Sequence, residues 1–315
     1  FGVMVRADRS DAVDTSRPLK GDRIAVIGTG RLGSLIIAAL AAWRKSSGTE
    51  CSITALALGA WRADHAVKMG ADDAVDMEQV KPETMKNNFD LVFEATGSPG
   101  GLESALIMAR REVHLKSTHG QPFFGLKHLT ELVVDELSLL PYSKETLDYK
   151  WEHENRKNEK VYSAPGAASD TAAGGMDLFT GPPLEAAALL GSGRFQGRLP
   201  RFDIGIASSV EEIDGIIRPD ARNENSLVRP RGGILYRGNG GDNPLLGFLA
   251  SGRRIRTSRC GDFHRAIALL VENPAVAETM TGWLITHEAG EADLPQAYRK
   301  AKDSDMLKIL IRHDS

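Results

Sequence analysis

Only two cysteines, Cys51 and Cys260, occur among the 315 residues. That excludes a disulfide framework and a four-cysteine zinc site. It makes a reducing compartment, cytoplasm or organelle interior, the expected setting for a soluble chain. Long apolar runs are also missing. The longest, Leu35 to Trp43, is far too short to cross a bilayer, so no transmembrane segment is expected. No charge of one sign dominates. A net charge of −3 gives the chain no general attraction to nucleic acid or an anionic membrane. The histidines show no spacing of the kind that holds a metal, so no metal site is expected. The chain opens on Phe1 rather than Met, which fits a processed or truncated product.

What is present is an ordinary globular composition, 42% hydrophobic and 26% charged, enough for one large domain or two smaller ones. Within it stands one informative motif. Gly28-Thr29-Gly30-Arg31-Leu32-Gly33 follows a short apolar run, Ile24 to Ile27, and precedes a helical one from Leu35. A strand, a glycine turn and a helix start, in that order, are what a dinucleotide site requires. Gly28 permits the tight turn, Gly30 lets backbone approach a pyrophosphate, and Gly33 lets helix pack close to strand. The alternative is a glycine turn kept for packing alone.

The rest of the pattern predicts an α/β fold, a doubly wound parallel sheet of Rossmann type with a central insertion. Residues 1–20 read as a polar lead-in. Residues 21–141 read as the first part of the dinucleotide-binding domain, with strands at Arg23–Ile27, Ser52–Leu58, Phe89–Ala95, Glu112–Ser117 and Val133–Leu140. Helices are expected at Leu32–Arg44, Arg62–Met69 and Gly100–Arg110. Residues 142–201 carry a dense charged run and alanine- and glycine-rich stretches, and read as a partly flexible, solvated insertion. Residues 202–315 read as the continuation of the domain. Strands are expected there at Phe202–Ala207, Ile213–Ile217, Gly233–Tyr236, Ile255–Ser258, Trp283–Thr286 and Leu307–Ile311. Helices are expected at Asp262–Glu272 and Leu294–Lys302. Ile213–Ile217 through Arg231–Leu235 faintly echoes Asp90–Phe93 through Glu112–Leu115, a rhythm that any two βαβ units share.

Several strings taken together resemble a known family. Lys20 to Gly33, Met69-Gly70-Ala71-Asp72, Asp90 to Pro99, Leu115-Lys116-Ser117-Thr118, Ser258 to Phe263, Leu284 to His287 and Leu307 to Leu310 resemble the cofactor domain of medium-chain, zinc-type alcohol and polyol dehydrogenases. The resemblance covers about Leu19–Leu140 and Gly252–Arg312. It implies that Gly28, Gly30, Arg31, Leu32 and Gly33 form the pyrophosphate turn. Thr96 and Gly97 would face the nicotinamide-side ribose, and Lys116 would end the next strand near the nicotinamide. It also implies NAD or NADP as cofactor and hydride transfer on an alcohol or carbonyl carbon of a small molecule.

Two departures from that family shape the expectation. Its separate zinc-bearing catalytic domain normally precedes the cofactor domain, whereas about twenty residues precede it here. Ala57 also lies near the position where an NAD site holds the ribose hydroxyls with Asp or Glu, and Arg62 follows it, able to meet a 2′-phosphate or merely to sit on a solvated helix face. His119 and Lys116 are the candidates for acid–base work at the strand ends. Two functions stay open: an oxidoreductase-type NAD(P)-binding protein with little turnover alone, or a non-catalytic structural or accessory subunit with protein partners in a larger assembly.

Overall fold

The computed structural model describes residues 18–118, 120–143, 146, 160–167, 177–192, 201–220, 225–259, 263–303 and 305–313. His119 and most of the lead-in lie outside the described residues.

The chain builds β1 (Asp22–Ile27), α1 (Arg31–Ser47), β2 (Cys51–Ala57), α2 (Ala60–Lys68), β3 (Asp73–Asp76), β4 (Phe89–Glu94), α3 (Pro99–Met108) and β5 (Ala109–Leu115). There follow α4 (Leu129–Val134), β6 (Ser138–Pro141), β7 (Lys160–Ser163), β8 (Asp177–Thr180), α5 (Pro183–Gly191), β9 (Phe202–Ala207), α6 (Val210–Ile217) and β10 (Val228–Tyr236). The last elements are α7 (Pro244–Ala250), β11 (Arg254–Thr257), α8 (Phe263–Glu272), α9 (Pro274–Leu284), β12 (Ile285–Gly290), α10 (Leu294–Lys300) and β13 (Lys308–Arg312).

One eleven-stranded sheet runs β3-β2-β1-β4-β5-β11-β6-β10-β9-β7-β8, and a separate two-stranded sheet joins β12 to β13. Every pairing in the large sheet is parallel except β11 with β6. Parallel strands are buried on both faces, and the burial shows it. Ala25 and Ile27 of β1 enter one apolar core with Leu102, Ala105 and Leu106 of α3. Ile24 and Val26 enter another with Ile37 and Leu40 of α1. Side chains alternate across a strand, so these two cores lie on opposite faces, each covered by a helix. The fold is a doubly wound α/β sheet of Rossmann type.

Three expected strands are corrected. Ile213–Ile217 belongs to a helix, α6. Ser209 caps it, accepting a hydrogen bond from the Glu212 N–H at 3.2 Å. Ser209-Val210-Glu211-Glu212 is a capping-box signature, a stronger local signal than a short run of isoleucines. Val133–Leu140 divides into the end of α4 and the strand β6, separated at Glu136, whose φ of +54° breaks regular structure. Trp283 and Leu284 are the last residues of helix α9, and the strand begins only at Ile285. The span 142–201, expected to interrupt the sheet, instead supplies two of its strands, β7 and β8. Tyr162 of β7 is fully buried against Phe179 and Phe202.

A charged cluster is buried between β5 and β11. Glu112, His114 and Arg256 are all buried, with His114 Nε2 at 2.6 Å and Arg256 Nε at 3.2 Å from Glu112 Oε1. Burial alone would push the Glu112 carboxyl up; the Arg256 guanidinium, and His114 after it, outweigh burial and bring it down to about 2. Burial holds the His114 imidazole below its ordinary value, against the pull of Glu112. Both folded-state values lie below those of the unfolded chain. The Glu112 contribution is therefore present above its ordinary value of 4.5 and is lost as pH falls from there through about 2. The His114 contribution fades as pH falls below 6.5. Unfolding free energy from urea titration should drop on acidification from pH 6.5 to 3, with a Glu112 share of about 3 kcal/mol at full protonation. A flat profile across that range would contradict the ion pair.

Candidate functional site

The glycine turn closes at the carboxyl end of β1. Gly28 takes φ of +85°, and a Cβ there would stand 2.7 Å from Thr96 Cγ2 and 3.0 Å from Thr96 N. Glycine is thus required both by conformation and by close approach of the neighbouring strand end. A Cβ at Gly33 would stand 1.8 Å from Gly28 O, so α1 can pack this near the strand only without a side chain there. Gly30 differs: a Cβ there meets nothing within 4 Å. The backbone at Gly30 therefore borders open space.

That space faces the start of a 17-residue helix, α1, whose N-cap is Gly30. No side chain caps it and no acidic residue lies in its first turn. Its first N–H groups and positive dipole end are left to whatever occupies the space. Thr29 is buried in the turn, and its Oγ1 has no hydrogen-bond partner among the described residues.

A cleft of about 560 Å³ opens there. Gly30, Arg31 and Arg62 line one side; Leu294, Tyr298, Met306, Lys308 and Ile311, from α10, β13 and their connection, line the other. Arg31 and Arg62 make no ion pair or side-chain hydrogen bond among the described residues. Among the described residues no carboxylate lines the cleft. Three cationic side chains in a concave wall, with no counter-charge among the described lining residues, favour an anionic ligand. Leu32, the last expected member of the turn, is partly exposed on the first turn of α1.

The carboxyl ends of β4 and β5 meet beside the turn. Glu94 organises them and was not singled out from the sequence. Its fully buried carboxylate accepts hydrogen bonds from the Thr96 N–H at 2.7 Å, from the Thr96 hydroxyl, and from the Ser117 hydroxyl. Ser117 Oγ in turn accepts from the Gly97 N–H at 2.9 Å, which fixes Thr96-Gly97 against the end of β5. Thr96 Oγ1 also accepts from the Ser98 N–H at 3.1 Å, and Ser98 caps α3. Lys116, just past β5, donates to the Ser258 hydroxyl. Gly28, Thr96, Gly97 and Lys116 are thus at neighbouring strand ends, with Gly30 and Arg31 beside them. A clue to Glu94 existed: an acid that follows the apolar run Leu91-Val92-Phe93 at the end of a buried strand needs partners there.

Replacing Glu94 by Gln puts an amide donor among donors. Glu94→Gln should cost about 1–3 kcal/mol in urea unfolding. An unchanged midpoint and slope would mean that Glu94 does not anchor the two strand ends.

The end of β2 carries no acid. Ala57 is fully buried and Leu58, beyond it, is exposed. Arg62 lies in the first turn of α2 and reaches the same cleft as Gly30. Among the described residues no group of three or more His, Cys, Asp or Glu is placed to hold a metal ion, and no helix is long and apolar enough to cross a membrane.

No protein-family model and no curated protein matches the chain. Among solved structures it is similar to an oxidoreductase/dehydrogenase of unknown specificity from Escherichia coli, at 10% identity and TM-score 0.41, over 94% of this chain and 52% of that one. It is similar also to an alcohol dehydrogenase zinc-binding domain protein from Burkholderia ambifaria, at 12% identity and TM-score 0.40, over 94% of this chain and 50% of that one. L-idonate 5-dehydrogenase from Escherichia coli is similar at 14% identity and TM-score 0.38, over 93% of this chain and 50% of that one. The chain spans about half the length of these proteins. At such TM-scores the likenesses do not fix the fold; the strand order does.

Proposed function

We propose that the chain binds a nicotinamide dinucleotide in the cleft beside Gly30 and serves oxidoreductase-type hydride transfer on an alcohol or carbonyl carbon of a small molecule. The observation that carries this reading is the glycine turn itself: open at Gly30, without a side-chain cap on α1, and facing Arg31 and Arg62, which make no ion pair among the described residues. The pyrophosphate rests against the turn and the first N–H groups of α1, with Arg31 neutralising charge. Tyr298 and Leu294 supply an aromatic and apolar wall of the kind on which a base stacks. When bound, the nicotinamide supplies the hydride chemistry. Thr96, Gly97 and Lys116 bound its end of the site, Lys116 as the cation nearest the strand ends.

The cofactor is NADP rather than NAD. A buried methyl at Ala57 offers ribose hydroxyls no acceptor, and Arg62 brings a guanidinium to the same side of the cleft as Gly30. Thermal shift and titration with NADP, NAD, 2′-AMP and 5′-AMP test this. The 2′-phosphorylated member of each pair should bind more tightly, and Arg62→Ala should remove about 10- to 100-fold of that preference. Equal binding within each pair, unmoved by Arg62→Ala, would return the choice to NAD. Absence of all binding would remove the dinucleotide site.

A further inference from the structure

The far half of the large sheet repeats the near half in strand order and at matched positions, with two more residues in the bulge of β10 than in that of β5. In the near half, Asp90, second in β4, accepts from the Arg23 N–H at the start of β1 at 2.9 Å and from Arg110 Nε of β5 at 3.0 Å. In the far half, Asp203, second in β9, accepts from the Lys160 N–H at the start of β7 at 3.0 Å and from Arg229 Nε of β10 at 2.7 Å. The ladders agree with this match. Ile24 pairs with Leu91 as Val161 pairs with Ile204, and Glu112 pairs with Leu91 as Gly233 pairs with Ile204. The β4–β5 and β9–β10 ladders shift register at the same place, after the Phe89–Ala109 pair and after the Phe202–Val228 pair. A serine caps the next helix in each, Ser98 on α3 and Ser209 on α6.

The same match places Leu139 of β6 against Ile255 of β11, since Ile255 pairs with Val113 and Leu139 with Ile234. These two equivalent residues form the antiparallel contact that joins the halves. A contact between a residue and its own equivalent is the mark of a two-fold axis.

The match also shows what stands at the second turn. Counting from Val161 as from Ile24, Pro165 occupies the place of Gly28. Proline is fixed near φ of −65° and cannot take the +85° of Gly28, and the chain here forms a short 3-10 turn instead. The Gly166 N–H donates to Glu212 Oε1 at 2.7 Å, while the Ser208 N–H and hydroxyl donate to Glu212 Oε2 at 2.7 and 2.8 Å. A Cβ on Gly166 would stand 2.7 Å from Glu212 Oε1, so the carboxylate lies directly against the turn.

We infer that the far half is a second copy of the nucleotide-binding unit, joined to the first as a built-in two-fold partner, and that the Glu212 carboxylate fills the anion position of its turn in place of a phosphate. The chain then takes one dinucleotide, in the near half alone. The one-site count rests on the dinucleotide reading above; the filled turn does not.

Two measurements test this separately. Glu212→Ala vacates the turn and should lower the melting temperature. Inorganic phosphate, against chloride at equal ionic strength, should raise the melting temperature of the variant by more than it raises that of the wild type. Should Glu212→Ala not fold, Glu212→Gln, which keeps one oxygen and the volume, takes its place and should show a smaller loss and a smaller phosphate gain. A phosphate gain no larger in either variant than in wild type would overturn the anion position. Native mass spectrometry of the wild-type chain with NADPH should give one bound cofactor per chain. Two per chain would overturn the closed second site; none would remove the dinucleotide reading and leave the phosphate result to decide the turn.

Discussion

Gly30→Val should abolish dinucleotide binding while the fold persists. The side chain would enter the space beside the turn, where nothing of the protein stands within 4 Å of an added Cβ. On the proposed reading, that space is where a pyrophosphate would approach the backbone. Losing close contact between phosphate and the α1 N–H groups removes several charge-assisted hydrogen bonds, each worth about 1.5–3 kcal/mol. Affinity should therefore fall by about 100-fold or more. The unfolding midpoint should move by less than about 1 kcal/mol, because the residue is a helix N-cap with open surroundings. Gly33→Ala supplies the contrast. Its Cβ would meet Gly28 O at 1.8 Å, so it must displace α1 from the strand and should lower stability as well as binding. Calorimetric titration and urea unfolding of both variants separate a site effect from a fold effect. Unchanged affinity in Gly30→Val would place any ligand elsewhere.

Arg256→Met should destabilise the protein by about 3–5 kcal/mol, the largest effect expected of a substitution distant from the cleft. Glu112 and His114 are fully buried and Arg256 nearly so. Removing the guanidinium leaves a buried carboxylate with the His114 imidazole in contact and Arg254 as the remaining cation that acts on it. The Glu112 carboxyl would then rise from about 2, and part of the cost would appear as proton uptake near neutral pH. Adding Glu112→Leu to Arg256→Met should recover most of the loss, because the pair as a whole returns little over well-packed apolar groups. A double variant no more stable than Arg256→Met would show that Arg256 acts through contacts other than Glu112.

The local geometry of the glycine turn was legible in the sequence because glycines carry local meaning. Gly28, Gly30 and Gly33 do what their spacing implies: one takes positive φ, one borders open space, one admits the helix. Thr96, Gly97 and Lys116 fall at strand ends beside them, and their part in holding a cofactor belongs to the proposed function. Glu94 was missed since its role depends on Ser117, twenty-three residues away, and no local pattern links the two. His119 lies outside the described residues.

The fold was legible to a similar depth. The first strands and helices were read closely from their alternation. Ile213–Ile217 misled because β-branched residues dominate it, while its capping box, Ser209 to Glu212, lay just upstream. The span 142–201 misled because its charge and alanine content masked two four-residue strands. Strands so short carry too few residues for alternation to show, and Tyr162 and Phe179 were the remaining cues. The faint echo in the sequence set Ile213–Ile217, which is helical, against the strand at Asp90–Phe93. The match on which the inference rests, Asp90 and Arg110 against Asp203 and Arg229, becomes visible only when the hydrogen bonds are known.

The most direct test of the central claim is calorimetric titration of the wild-type chain with NADPH and with NADH at matched ionic strength. The account predicts saturable binding of one NADPH per chain, weakened by salt and tighter than NADH, since Arg31 and Arg62 meet phosphates at the cleft wall. No heat and no saturation with either cofactor at millimolar concentration would contradict it.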